Sequence, residues 1–271
     1  MTAVDKLHHP VGSYDASRFP QAEIDRLVRQ GSASWPQERE LLIEGGLQAG
    51  SQVLDLGCGP GVISSLLAKE VGPEGSIVGI EIDDKLLSLC RQINRENTTF
   101  YQGSVYALEE FSDQFDFVLV RLVMQHVARP YDLLAEVMKV LRPGGTACLI
   151  DSNERLLAIH PAPPGFEHML QETQLLQGLR GGDRFVGGKL SFYLNQSGFK
   201  NVRSNVLLLS PDHIGKAAFL DSVLSWRPQL YPEEVRAQAE ARIDQMRQFC
   251  DESMVDGYNG AFVVFGTKPL S

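Results

Sequence analysis

Between residues 52 and 150 the apolar positions fall into short runs separated by turn residues, and the runs alternate in character. Gln52–Leu56, Ser76–Ile82, Thr99–Gln102, Phe115–Val120 and Thr146–Ile150 are mainly apolar or β-branched segments, as in strands buried on both faces. Val62–Lys69, Lys85–Asn94 and Tyr131–Val140 lie between them with apolar residues at helical spacing. Gly72-Pro73-Glu74-Gly75 bounds the second strand, and Arg142-Pro143-Gly144-Gly145 ends the third helix. This alternation predicts a parallel sheet with helices on both faces. Such sheets bind ligands at the carboxyl ends of their strands, near the point where strand order reverses.

The flanks read differently. Residues 1–20 look irregular, and Ala22 to Gln30 predicts a short helix. Ser34-Trp35-Pro36-Gln37 reads as the start of a second one: Ser34 caps it, Gln37 completes a capping box and Pro36 suits the first turn. That helix carries Leu41, Leu42 and Ile43 and stops at Gly45-Gly46. Downstream the rhythm breaks after Asp151. Pro161–Gly165 reads as a loop, Phe166–Leu179 and Lys189–Gln196 as helices, Asn201–Leu209 and Gly260–Thr267 as strands. Between those last strands a mainly helical stretch runs from Asp212 to Cys250, interrupted at Arg227-Pro228. A neighbouring antiparallel pair needs only a short loop, so the inserted helices are read as a lid or a homodimer contact. The expected organisation is an N-terminal helical segment (1–46), a ligand-binding core (47–154), a helical insertion (155–188) and the rest of the core sheet (189–271) with a lid at about 211–258.

The 271 residues suffice for one large domain, or one with a substantial insertion. A formal charge of −9 argues against a general phosphate-backbone binder, so no nucleic-acid partner is expected. Cys58, Cys90, Cys148 and Cys250 are scattered without a CxxC pair, which indicates reduced thiols and no metal site. Met1 to Pro10 has no apolar core of a secretory signal, and no apolar run approaches the roughly 20 residues of a membrane helix. The expectation is a cytoplasmic enzyme with no membrane partner.

The candidate chemistry centres on Val53-Leu54-Asp55-Leu56-Gly57-Cys58-Gly59-Pro60-Gly61. A strand runs into three glycines at alternate positions and then into a helix, so that bare backbone can approach a nucleotide-like ligand. A dinucleotide fingerprint would be GxGxxG with pyrophosphate on the helix N-terminus. Here the spacing is GxGxG, and Asp55 precedes it, a side chain suited to an ammonium group rather than a pyrophosphate. Glu81 ends the second strand, where a carboxylate accepts hydrogen bonds from ribose hydroxyls.

Val53–Gly61, Val78–Asp83, Gly103–Leu108, Phe115–Val127 and Leu141–Gly145 occur in an order and spacing that resembles the class I S-adenosylmethionine-dependent methyltransferases of small-molecule type. The resemblance is close over residues 35–150 and looser near 201–209 and 260–268. It implies an α/β fold with a Rossmann-like seven-stranded sheet, mostly parallel with one antiparallel strand, helices on both faces and a helical cap. It also implies S-adenosylmethionine as cofactor and S-adenosylhomocysteine as product. By the same resemblance, Gly57, Cys58 and Gly59 lie along the methionine and ribose, and Asp55 binds the methionine amino group directly or through water. Glu81 holds the ribose hydroxyls, Ile82 packs on the adenine, and Ser104 and Val105 meet the adenine edge. Many relatives carry Asp where this chain has Ser104, a weaker partner for the adenine amine. Arg121 and Leu122 face the sulfonium through backbone groups. Looser relatives place residues corresponding to Tyr14 and Gln30 over the cofactor.

Methyl transfer asks mainly for alignment and exclusion of water. Where the acceptor starts protonated, His126 is the best-placed base; it reads equally as a packed histidine. His160, His168 and His213 fall in the cap, and His8 and His9 in the terminus. The cap aromatics Phe166, Phe185, Phe192, Tyr193, Phe219, Trp226 and Tyr231 form either an apolar wall for a flat acceptor or ordinary core. Arg180, Arg184 and Arg227 are candidates for meeting an acidic substrate. The fourth strand lacks the Asn/Asp-Pro-Pro-Tyr/Phe sequence that resembles methylases of exocyclic and amide nitrogens, and no cysteine follows a proline as in cytosine C5 enzymes. The expected activity (EC 2.1.1 type) is methylation of O, N or C of a small metabolite, as in secondary metabolism. Alternatives are a non-catalytic cofactor-binding or partner protein and an NAD-dependent oxidoreductase.

Overall fold

The computed structural model describes residues 21–270 apart from Asn94. Seven strands form one sheet: β1 (Gln52–Leu56), β2 (Ser76–Glu81), β3 (Thr98–Gln102), β4 (Phe115–Arg121), β5 (Leu141–His160), β6 (Lys200–Leu209) and β7 (Asp256–Thr267). Their order is β3-β2-β1-β4-β5-β7-β6. β1 pairs in parallel with β2 and β4, whereas β7 runs antiparallel to both β5 and β6. The order reverses between β1 and β4, and the crevice at their carboxyl ends is the place where such sheets take ligands.

Period-two alternation sorts the strand residues onto two cores. Leu54, Leu56, Val118, Val120, Ala147 and Leu149 face α4 (Pro130–Val140) and α6 (Leu190–Gln196), through Leu133, Val137, Leu190 and Leu194. Val53, Phe117, Leu119, Cys148 and Ile150 face α1 (Gln21–Glu44) and α2 (Val62–Val71), through Trp35, Leu42, Ile63 and Leu67. The central strands are thus buried on both faces, which explains their near-continuous apolar runs. α3 (Asp84–Cys90) starts on an Asp83 cap, whose carboxylate accepts from the Leu86 amide at 3.0 Å.

A third core belongs to the cap. α5 (Phe166–Gly178), α7 (Pro211–Ile214), α8 (Lys216–Leu220) and α9 (Glu233–Glu252) come from two separate insertions. Phe166 and Met169 of the first pack with Phe219, Leu224, Ile243 and Met246 of the second. One cap therefore grows from both.

Three local readings are corrected. The short helix and the second helix expected before β1 are one continuous α1. Ser34 is no N-cap: its hydroxyl donates to the Gln30 carbonyl one turn back, at 3.0 Å. Pro36 sits inside the helix, and the buried contact of α1 with the sheet outweighs its lost hydrogen bond. The helix expected through Asn94 ends at Cys90, where Gln92 and Ile93 amides turn to carbonyls three residues back. β5 does not stop near Ile150 but runs to His160, with a register shift between Ser152 and Leu157 where Glu154 N–H leaves the ladder for the Arg184 carbonyl.

Candidate active site

The glycine loop leaves β1 with Gly57, Gly59 and Gly61 all at positive φ (75°, 57° and 78°). A Cβ on Gly57 would stand 2.5 Å from Val123 Cγ2, whereas one on Gly59 would meet nothing within 4 Å. The first glycine is thus demanded by packing inside the protein, and the second presents bare backbone to open space. Gly57 and Cys58 amides both donate to the Ile80 carbonyl, and the Gly59 amide donates to Glu81 Oε2 at 2.9 Å. The other Glu81 oxygen accepts from the Asp83 amide at 2.9 Å. Glu81 is buried, and burial raises its carboxyl above the ordinary range despite those backbone donors.

Asp55 lies beneath the loop, also buried. Ser64 of α2 donates to Asp55 Oδ2 at 2.5 Å. Burial lifts the carboxyl to about 6; the Ser64 hydroxyl and the Arg121 charge pull the other way. Beside Glu81, Ile82 exposes 53% of its surface, a flat apolar face at the mouth of the crevice. Ser104 and Val105 follow β3 and are half-buried, and Ser104 Oγ accepts from the Tyr106 amide at 3.3 Å.

Arg121 and Leu122 close β4. The Arg121 side chain turns to α1, where Nε and Nη2 grip Glu38 at 2.7 and 2.9 Å and Nη2 also donates to Ser34 at 2.9 Å. Leu122 takes a positive φ of 56°, and its amide donates to the Ile150 carbonyl at 2.7 Å. The turn after it carries Gln125 and His126. His126 is half-buried, and desolvation together with the Arg184 charge lowers its imidazole to about 3.

The structure therefore gathers Asp55, Gly57, Cys58, Gly59, Glu81, Ile82, Arg121 and Leu122 at the carboxyl ends of β1, β2 and β4, with Ser104 and Val105 beside them. Gln30 lies on α1, just before Gly31 packs against Val62 at the start of α2, and its Oε1 accepts from Arg26 at 2.8 Å. Tyr14, His8 and His9 lie outside the described residues.

Cap side chains take other positions than a simple wall. Phe166 and Phe219 are interior to the cap, and Tyr193 stacks edge-on against Tyr131 of α4. His160, His168 and His213 are exposed. The guanidinium groups of Arg184 and Arg227 both lie over the Trp226 ring, 4.1 and 4.5 Å from its centre. Both arginines also meet Glu154, at 3.0 and 2.8 Å. Glu38, Gln125, Asp151 and Glu154 are buried polar residues that sequence reasoning missed. The one signal for Asp151 was a carboxylate directly after an apolar strand.

The donor set fits an adenosyl amino acid. Glu81 keeps unshared lone pairs for a diol, Gly59 leaves room for close approach, Ile82 offers an apolar face for a base, and Asp55 supplies negative charge under the loop. Residues 47–200 match the family model described as methyltransferase domain. An uncharacterized methyltransferase of Schizosaccharomyces pombe is 32% identical over 150 residues, 51% of this chain and 53% of the relative. The demethylmenaquinone methyltransferase of Listeria welshimeri is 29% identical over 139 residues, 50% of this chain and 56% of that protein. The matches thus span about half the length of these curated relatives. Phosphoethanolamine N-methyltransferase 2 of Haemonchus contortus, solved with S-adenosyl-L-methionine, superposes with a TM-score of 0.55 at 16% identity, covering 87% of this chain and 53% of that one. The chain belongs to the methyltransferase-domain family, the class I S-adenosylmethionine-dependent methyltransferases, whose cofactor is S-adenosylmethionine.

Proposed function

We propose that the chain moves the methyl group of S-adenosylmethionine to an O, N or C atom of a small metabolite. The observation that carries this reading is the Gly59–Glu81 contact, which places a buried carboxylate at the end of β2 beside open glycine backbone at the topological switch point. In this reading Glu81 holds the ribose hydroxyls, Ile82 covers one adenine face, and Ser104 and Val105 border its edge. Asp55 attracts the methionine ammonium, directly or through water, and Gln30 and Tyr14 close the site from the N-terminal side. When bound, the cofactor would supply an electrophilic methyl group on its sulfonium for transfer to an acceptor electron pair, the carbon–sulfur pair staying on sulfur.

The protein's part is alignment and exclusion of water. Leu122 backbone borders the sulfonium, and the cap closes the acceptor side. His126 is a weak base, neutral across the physiological range, so it serves better as a hydrogen-bonding group than as a proton acceptor. Acceptors that arrive as neutral amines or as anions suit such a site. The acidic chain and the names of its relatives, a demethylmenaquinone methyltransferase and a phosphoethanolamine N-methyltransferase, favour a small molecule over nucleic acid. Incubation of the purified chain with methyl-labelled cofactor and a metabolite extract, followed by mass spectrometry, tests the reading: a labelled small molecule supports it.

A further inference from the structure

Every hydrogen-bonding group of Gln125 is engaged, and the partners come from opposite sides of the site. Its amide donates to Asp151 Oδ2 at 3.0 Å, at the end of β5. Its carbonyl accepts from Gln177 Nε2 of α5 and from the Asp183 amide, each at 2.9 Å. Its side-chain Oε1 accepts from Arg184 Nη1, and its Nε2 donates to the Leu122 carbonyl at 3.3 Å. Gln125 is 5% exposed, so these bonds are made away from competing water.

Arg184 continues the chain of contacts into the cap. It stacks on Trp226 and donates to Glu154 Oε1 at 3.0 Å. Glu154 also takes Arg227 Nη2 at 2.8 Å and Gln174 Nε2 at 2.9 Å. Arg227 in turn reaches Thr173 of α5 at 2.6 Å and the Val223 carbonyl at 2.7 Å. An unbroken polar path thus runs from the buried heart of the cap, through Gln125, to the carbonyl of the one β4-end residue with positive φ.

We infer that Gln125 is a positioning residue that couples the cap to the backbone bordering the methyl donor. It fixes the Leu122 carbonyl, and the cap's arginine pair fixes Gln125. A shift of the cap on acceptor entry then reaches the donor site through hydrogen bonds rather than through side-chain contact with the cofactor. The inference rests on the reading that Leu122 backbone borders the cofactor.

The test is calorimetric binding of S-adenosylmethionine to the full chain and two variants, with hydrogen exchange of the Leu122 amide in the unliganded proteins. Gln125→Glu keeps an acceptor for Arg184 but has no N–H for the Leu122 carbonyl. Glu154→Gln alters only the cap end of the path. The expected result is about tenfold weaker binding by Gln125→Glu, as for one lost buried hydrogen bond, and severalfold weaker binding by Glu154→Gln. Exchange at Leu122 should quicken in both by more than exchange at the other β4 amides, which a general loss of stability would quicken equally. Wild-type binding and exchange in both variants would overturn the inference. If Gln125→Glu fails to fold, Glu154→Gln decides alone: unchanged Leu122 exchange in it refutes the coupling. A wild-type chain that binds no cofactor would instead reject the cofactor reading, and this inference with it.

Discussion

The Gly59 amide donates to Glu81 Oε2 at 2.9 Å, so the loop after β1 and the carboxylate ending β2 form one rigid unit. Glu81→Ala should remove both the loop anchor and the proposed ribose contact. A charge-assisted hydrogen bond is worth about 2 kcal/mol, so binding of S-adenosylhomocysteine should weaken about thirtyfold or more. Isothermal calorimetry reads this directly, and an unchanged affinity would remove Glu81 from the site.

Gly57 and Gly59 should respond differently to the same substitution. Gly57→Ala drives a Cβ to 2.5 Å from Val123 and should cost about 2 kcal/mol of folding stability. Gly59→Ala meets no protein atom within 4 Å and pays only the left-handed backbone penalty of about 1 kcal/mol. Its larger effect should fall on cofactor affinity, because the added methyl enters the space proposed for the ligand. Denaturant melts and binding isotherms on both variants separate the two effects.

Arg121 and Glu38 tie α1 to the end of β4 through a two-pronged ion pair that leaves 13% and 3% of the side chains exposed. Removing one partner strands a buried charge, at a cost of about 3 kcal/mol or more. Arg121→Met should therefore destabilise the fold strongly in urea melts, while the double variant Arg121→Met with Glu38→Leu recovers much of the loss.

Acidity should act through Asp151. Burial lifts its carboxyl to about 7 from an ordinary 3.8, against the Gln125 and Ser152 amides and the charges of Arg184 and Arg121. The folded state then holds the proton more tightly than the unfolded one. The resulting stabilisation is complete below pH 3.8 and disappears as pH rises through 7. Asp55, lifted to about 6, acts in the same sense. His126 acts in the opposite one: its contribution is full above pH 6.5 and is lost as pH falls through about 3. Wild-type stability relative to Asp151→Asn should fall from pH 5.5 to 7.5, by at most about 1.4 kcal/mol per pH unit. Urea melts at three pH values check it, and parallel curves would contradict it.

The middle of the sheet was legible because β1, β2, β4 and the first part of β5 are interior, and interior strands advertise themselves as apolar runs between glycine and proline breaks. The glycine loop was legible because three alternate glycines have a geometric purpose. The continuity of α1 was not, since Ser34 and Pro36 imitate a helix start and only the buried contact of α1 with the sheet shows otherwise. Gln125 was equally hidden. Its five partners lie at 122, 151, 177, 183 and 184, and no local pattern announces that a turn glutamine gathers them. The cap aromatics show the same limit, because an aromatic in a cap core and one lining a pocket read alike along the chain.

Catalytic transfer is tested by following the methyl group itself. Purified chain is given S-adenosylmethionine carrying a labelled methyl group together with a fractionated metabolite extract, and label is traced by mass spectrometry. The account predicts a methyl-labelled small molecule and a matching amount of S-adenosylhomocysteine, both lost in Glu81→Ala. Tight cofactor binding with no label leaving the donor in any fraction would contradict it and mark the chain as a binder without turnover.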